Sequence, residues 1–191
     1  MTEPIATGCG MVQAVSLSGE FSIANQRCYM VQFTAESGGL MQHDITLPQL
    51  GRLQWDESAG HWRGELGLQR APVPLEIVPV GAHTARPDAA EVFAAALRTT
   101  DWVRANERQA LLMIATPLSE SYNRQAADDQ EPVTVEQFAD WIEIASVRAA
   151  SNGFFDLILG DCGTNLFAGV TALGNFDAEF RLTCTFVSKN E

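Results

Sequence analysis

The stretch from Phe154 to Val187 constrains the fold more than any other part of the chain. It reads as consecutive antiparallel strands joined by tight turns. Across Phe176-Asp177-Ala178-Glu179-Phe180-Arg181-Leu182-Thr183-Cys184-Thr185-Phe186, apolar and polar residues alternate without a break. A period of two marks a strand with one dry face and one wet face. The turns are marked as well. Ser151-Asn152-Gly153 is the strongest hairpin signal, because Asn-Gly suits a type I′ turn. Phe154 to Leu159 is apolar almost throughout, which predicts a strand buried on both faces. Asp161-Cys162-Gly163-Thr164 turns the chain, Leu166 to Leu173 pairs back, and Gly174-Asn175 turns it again.

Residues 10–34 are rich in β-formers, and Ser37-Gly38-Gly39 breaks them. Leu47-Pro48-Gln49-Leu50-Gly51 marks a boundary. The expected organisation is a β-rich N-terminal segment or subdomain over 1–48 and an α+β domain over 49–191. Three strands follow the boundary: Arg52 to Trp55, His61 to Leu68 after the turn Asp56-Glu57-Ser58-Ala59-Gly60, and Leu75 to Val80. Pro72, Pro74 and Pro79 confine the third to a short or edge strand. Trp55 and Trp62 flank one turn and are placed for a cross-strand aromatic pair.

Two helices come next. Pro87, Asp88 and Glu91 read as a helix start, and Ala89, Val92, Phe93, Ala96 and Leu97 form one apolar stripe. The second runs from Thr100 or Asp101 to Ala115, buries Val103, Ala110, Leu111 and Ile114, and ends at Pro117. Residues 119–132 read as loop. Thr134 and Gln137 form a capping box that opens a short third helix, with Val133 and Phe138 as its hydrophobic staple. Helices segregated from an antiparallel sheet define an α+β fold. Expected is an antiparallel sheet with a C-terminal β-meander, two to three helices packed on one side, and a β-rich N-terminal segment.

The charge balance narrows the function classes. The chain has 191 residues and a net charge of −12, with Lys189 its only lysine. Such a chain repels phosphate backbones and anionic membrane surfaces, so no nucleic-acid or membrane partner is expected. A basic protein would be steered towards it. Residues 120–143 hold seven carboxylates against one cation, Arg124. No apolar run reaches the roughly 18 residues of a membrane span, and Met1-Thr2-Glu3-Pro4 lacks the basic and apolar regions of a secretory signal. A cytoplasmic location is expected. Cys9, Cys28, Cys162 and Cys184 form no metal or redox spacing and read as reduced thiols.

Leu50-Gly51-Arg52-Leu53-Gln54-Trp55-Asp56, followed by Trp62-Arg63-Gly64-Glu65-Leu66, resembles the opening of an uncharacterised bacterial family, domain of unknown function 2262. The helices over 87–115, the segment Val133-Thr134-Val135-Glu136-Gln137-Phe138, and the meander after Asn152-Gly153 extend the resemblance to about residues 50–187. It implies a strand-turn-strand opening and no known activity, cofactor or catalytic residue.

Residues with chemistry are few. The P-loop, dinucleotide, nucleophile-elbow and zincin motifs are absent from the sequence, and no cofactor is expected. His43 and Asp44 are neighbours, but adjacent side chains on a strand point to opposite faces. His61 and His83 read as surface histidines. Cys162 lies in a turn beside Asp161, with no basic activator near in sequence. The reading that follows is a non-catalytic, acidic immunity- or antitoxin-type module that neutralises a basic toxin. Its partner-binding residues would be Glu120, Asp128, Asp129, Glu131, Glu136, Asp140 and Trp141, the indole serving as an aromatic anchor ringed by acids. The alternative is a hydrolase-like enzyme with a site assembled from His43, Asp44 and Cys162.

Overall fold

The structure, a computed structural model, describes residues 44–81, 89–126 and 130–189. The expectations for residues 10–34, Cys9, Cys28, His43, His83 and the Asp88 cap lie outside the described residues.

The fold is α+β. Strands β1 (Ile45–Leu47), β2 (Gly51–Asp56), β3 (His61–Gly67) and β4 (Pro72–Val78) precede helices α1 (Ala89–Gln125) and α2 (Val135–Trp141). Strands β5 (Ile142–Ala150), β6 (Phe155–Asp161), β7 (Val170–Phe176) and β8 (Leu182–Lys189) follow. All eight lie in one sheet in sequence order. Every neighbouring pair is antiparallel except β4 and β5, which run parallel because the helices carry the chain back between them. β1 pairs with β2 through Ile45 opposite Leu53.

The ladder register sorts side chains into two faces. One row runs Trp55, Trp62, Ile77, Ala149, Phe155, Phe176, Leu182 across β2 to β8. It faces α1, whose Val92, Phe93, Ala96, Val103, Ala110, Leu111 and Ile114 are buried. Trp62 stands edge-on between Trp55 at 4.5 Å and Phe93 at 5.0 Å, the aromatic pair expected across the hairpin. The neighbouring row, Gln54, Arg63, Glu76, Arg148, Asp156, Asn175, Cys184, lies on the opposite face. Adjacent members bond sideways: Arg148 Nε donates to Glu76 Oε2 at 2.7 Å, and Asn175 Nδ2 donates to Asp156 Oδ1 at 2.7 Å.

Several local expectations change. The two helices expected over 87–115 meet at a kink within α1, at Asn106 instead of near Thr100, where φ is −128° and ψ is 25°. The Asn106 side chain donates to the Trp102 carbonyl at 2.9 Å, one turn back at the break. Pro117 does not end α1. Hydroxyls of Thr116 and Ser119 bond the Leu112 and Thr116 carbonyls around it, and the helix continues to Gln125. The turn after Ala150 is a three-residue loop rather than type I′. Ala150 accepts from Gly153 and donates to Phe154, and only Gly153 has positive φ, at 88°.

β6 is not buried on both faces. Phe155, Leu157 and Leu159 are buried, whereas Asp156 and Ile158 are half-exposed on the far face. The alternating run from Phe176 to Phe186 is also not one strand. It turns at Asp177 to Arg181, where Asp177 Oδ1 accepts from the Glu179 and Arg181 amides. Phe180 holds a positive φ of 64° there and stacks on Trp102 at 5.0 Å.

Candidate functional site

The capping box that opens α2 is present. Thr134 Oγ1 accepts from the Gln137 amide at 3.2 Å, and Gln137 Oε1 accepts from the Thr134 amide at 2.9 Å. This short helix buries Phe138 and Ala139 and turns Glu136 and Asp140 outwards. It packs against the C-terminal part of α1. Asn123 bridges the two by donating to the Val133 carbonyl and accepting from the Val133 amide, both at 2.9 Å. Glu120, on α1, and Glu131, before α2, are exposed on these same elements.

Asp128 and Asp129 lie between α1 and α2, outside the described residues. Two cations lie on these elements: Arg124, exposed in the last turn of α1, and Arg108, whose Nη2 meets Asp140 Oδ1 at 2.8 Å with both side chains well exposed to solvent. Screening leaves such a pair with little net stability. Trp141 is half-buried. Its ring lies 5.9 Å from Tyr122 and 6.0 Å from Phe138, inside the aromatic packing beneath α2.

Asp44 and Cys162, two of the residues named for the enzyme alternative, are separated. Asp44 belongs to the β1–β2 edge, where it accepts from Arg52 Nη2 at 2.7 Å and from the Trp55 amide at 3.3 Å. Cys162 follows β6, five strands away in the sheet, or about 24 Å at ~4.8 Å per strand. Cys162 is exposed and its amide donates to the Trp141 carbonyl at 2.9 Å. A basic group does reach it. Arg70 Nη1 donates to Cys162 Sγ at 2.8 Å and lies 3.5 Å from Glu143 Oε2. These contacts hold the Arg70 guanidinium above its ordinary pKa, the Cys162 contact first. Sequence separation of 92 residues hid this pairing.

Beside it, Leu68, Arg70, Pro72 and Val73 of the β3–β4 turn, Glu143 and Ile144 of β5, and Glu107 of α1 line a cleft of about 300 Å³. Glu107 directly follows the break at Asn106 and is buried, 9% exposed. Its Oε2 accepts from the Gln69 amide at 3.0 Å. One signal in the sequence marks it. Val103, Glu107, Ala110 and Ile114 share a single helical stripe, so a carboxylate sits at a core position.

His61 is not a surface histidine. It opens β3 and is buried, with Nε2 accepting from Arg63 Nε at 3.1 Å and lying 3.7 Å from Glu76. Burial lowers its pKa below the ordinary histidine value. Asp156, on the same face, is raised above the usual carboxylate range, again chiefly by burial. Among the described residues, no three His, Cys, Asp or Glu side chains converge to hold a metal ion. No helix among them is long and apolar enough to cross a membrane.

Compared with protein-family models, with curated proteins and with solved structures, the chain matches none of them.

Proposed function

We propose that this chain is a cytoplasmic, non-catalytic protein-binding module of the immunity or antitoxin type, which covers a basic toxin. The observation that carries this reading is the pair of packed elements, the end of α1 and all of α2, that expose Glu120, Glu131, Glu136 and Asp140. Asp128 and Asp129 lie between these elements in sequence. A surface dense in one sign of charge speeds encounter with a partner of the other sign. The overall charge of −12 works against nucleic acid and anionic membranes as partners. With Trp141, at the end of α2, half-buried against Tyr122 and Phe138, the carboxylates are the contact groups and the indole is their support. The resemblance over residues 50–187 to domain of unknown function 2262 is kept as part of this proposal and assigns no activity.

The test is charge reversal. Asp128→Lys, Asp129→Lys and Glu131→Lys together are expected to slow association with the basic partner by about tenfold at low salt. They are also expected to flatten the salt dependence of the rate. Unchanged association kinetics would remove these residues from the site.

One observation favours a second reading, the hydrolase-like enzyme. The exposed Cys162 thiol has a guanidinium donor, Arg70, at 2.8 Å, the kind of partner that stabilises negative charge on sulfur. Rapid alkylation of Cys162 at neutral pH, lost in Arg70→Gln, would support it. Alkylation at the rate of an ordinary exposed thiol would count against it.

A further inference from the structure

We infer that the cleft between the β3–β4 turn, β5 and the break in α1 is a binding site for an organic cation, an ammonium or guanidinium group. Buried carboxylates are normally paired with a cation or coordinate a metal, because desolvation is costly otherwise. Glu107 is about nine-tenths buried and has a single bond, from the Gln69 amide to Oε2. Among the described residues its other oxygen accepts no hydrogen bond and no cation stands at ion-pair distance from it, and that oxygen keeps contact with the solvent of the cleft rather than being sealed in the core.

Glu107 lines the cleft, and Glu143 lines it from β5. The arginine at the same cleft, Arg70, is already engaged by Cys162 and Glu143. Leu68, Val73 and Ile144 supply apolar wall for the carbon chain of such a ligand. A volume of about 300 Å³ suits a small molecule or one side chain. Cys162 Sγ lies 4.0 Å from Glu143 Oε2, but no three acidic, histidine or cysteine side chains converge here among the described residues, which favours an organic cation over a metal ion. The same chemistry is presented by a free alkylamine or alkylguanidine and by a lysine or arginine side chain. This site stands independently of the exposed carboxylates on α2.

The experiment is an amide-resolved NMR titration of the whole chain with n-butylammonium and with propylguanidinium, using n-butanol as the neutral control. Saturable shifts are expected at Gln69 to Ala71 and Val73, at Glu107 and at Glu143 to Ala145, from the cations only. The isosteric Glu107→Gln is expected to weaken binding about thirtyfold. Glu143→Gln, on the exposed rim, is expected to weaken it less while leaving the fold undisturbed. Arg70→Gln, which removes the resident positive charge, is expected to strengthen it.

A tripeptide with a central arginine and blocked ends distinguishes the sources. Tighter binding than propylguanidinium assigns the site to a protein side chain, and weaker binding assigns it to a free small molecule. The proposal is overturned if n-butanol produces the same shifts, if neither cation saturates, or if Arg70→Gln abolishes binding. The last result would show that Arg70 builds the site instead of opposing the ligand's charge.

Discussion

At Gly174 the sheet closely approaches α1. A β-carbon there would stand 2.6 Å from both Cγ1 and Cδ1 of Ile114. Gly174→Ala is therefore expected to destabilise the fold by about 1–3 kcal/mol through overpacking, measured by urea unfolding. Two titratable residues on the far face act in opposite directions. His61 has a lowered pKa, so the unfolded chain takes up its proton first as pH falls. Its contribution is present above the ordinary histidine value and is lost as pH drops through the range below it. Asp156 has a raised pKa, so its contribution is present below the ordinary carboxylate value and is lost as pH rises through the folded value. Urea melts between pH 8 and pH 4 on the order of one unit apart should show His61→Gln flattening the upper part of the profile. Asp156→Asn should remove a gain in stability at the lower part, and an unaltered profile in both variants would refute these assignments. The Trp55–Trp62 contact was legible in the sequence because a short turn sets which residues face each other. Burial of His61 was not, since it is created by Arg63, Glu76 and Arg148 from three strands.

At the scale of elements, local chemistry was legible where it is self-contained. Thr134 and Gln137 carry their cap within four residues, and the cap forms as read. Thr134→Ala is expected to cost about 1 kcal/mol, a fall of roughly 2–4 °C in Tm for a chain of this size. No change in thermal unfolding would mean that tertiary packing alone holds α2. Gly153 illustrates a partial reading. Its glycine was recognised as a turn residue, but the loop around it is one residue longer than Asn-Gly implied. Gly153 combines a φ of 88° with crowding, since a β-carbon would lie 2.9 Å from Arg98 Nη2 and 3.0 Å from Ala178 Cβ. Misplaced boundaries share one cause. Pro117, the 119–125 region and the run from Phe176 to Phe186 have local signals that tertiary contacts override. α1 runs on through Pro117, and Asp177 with Phe180 folds an alternating run into a hairpin.

At the scale of the whole molecule, the α+β class and the placement of helices on one sheet face followed from periodicity, because burial of a dry face is a global requirement. The α1–α2 carboxylates were legible as charge density along the chain. The cleft beside Glu107 was not assembled from the sequence, because Gln69, Glu107 and Glu143 meet only through the β3–β4 turn and the break in α1. The central claim concerns what the exposed carboxylates of α1 and α2 recognise, and affinity capture tests it most directly. The chain would be used as bait in lysate of its own cells, washed at low and then at high salt, with the bound proteins identified by mass spectrometry. The account predicts one stoichiometric basic protein, retained at low salt, weakened at high salt, and lost from bait carrying Glu131→Lys and Glu136→Lys. Absence of any stoichiometric partner at either salt, or a partner held equally by the charge-reversed bait, would contradict it.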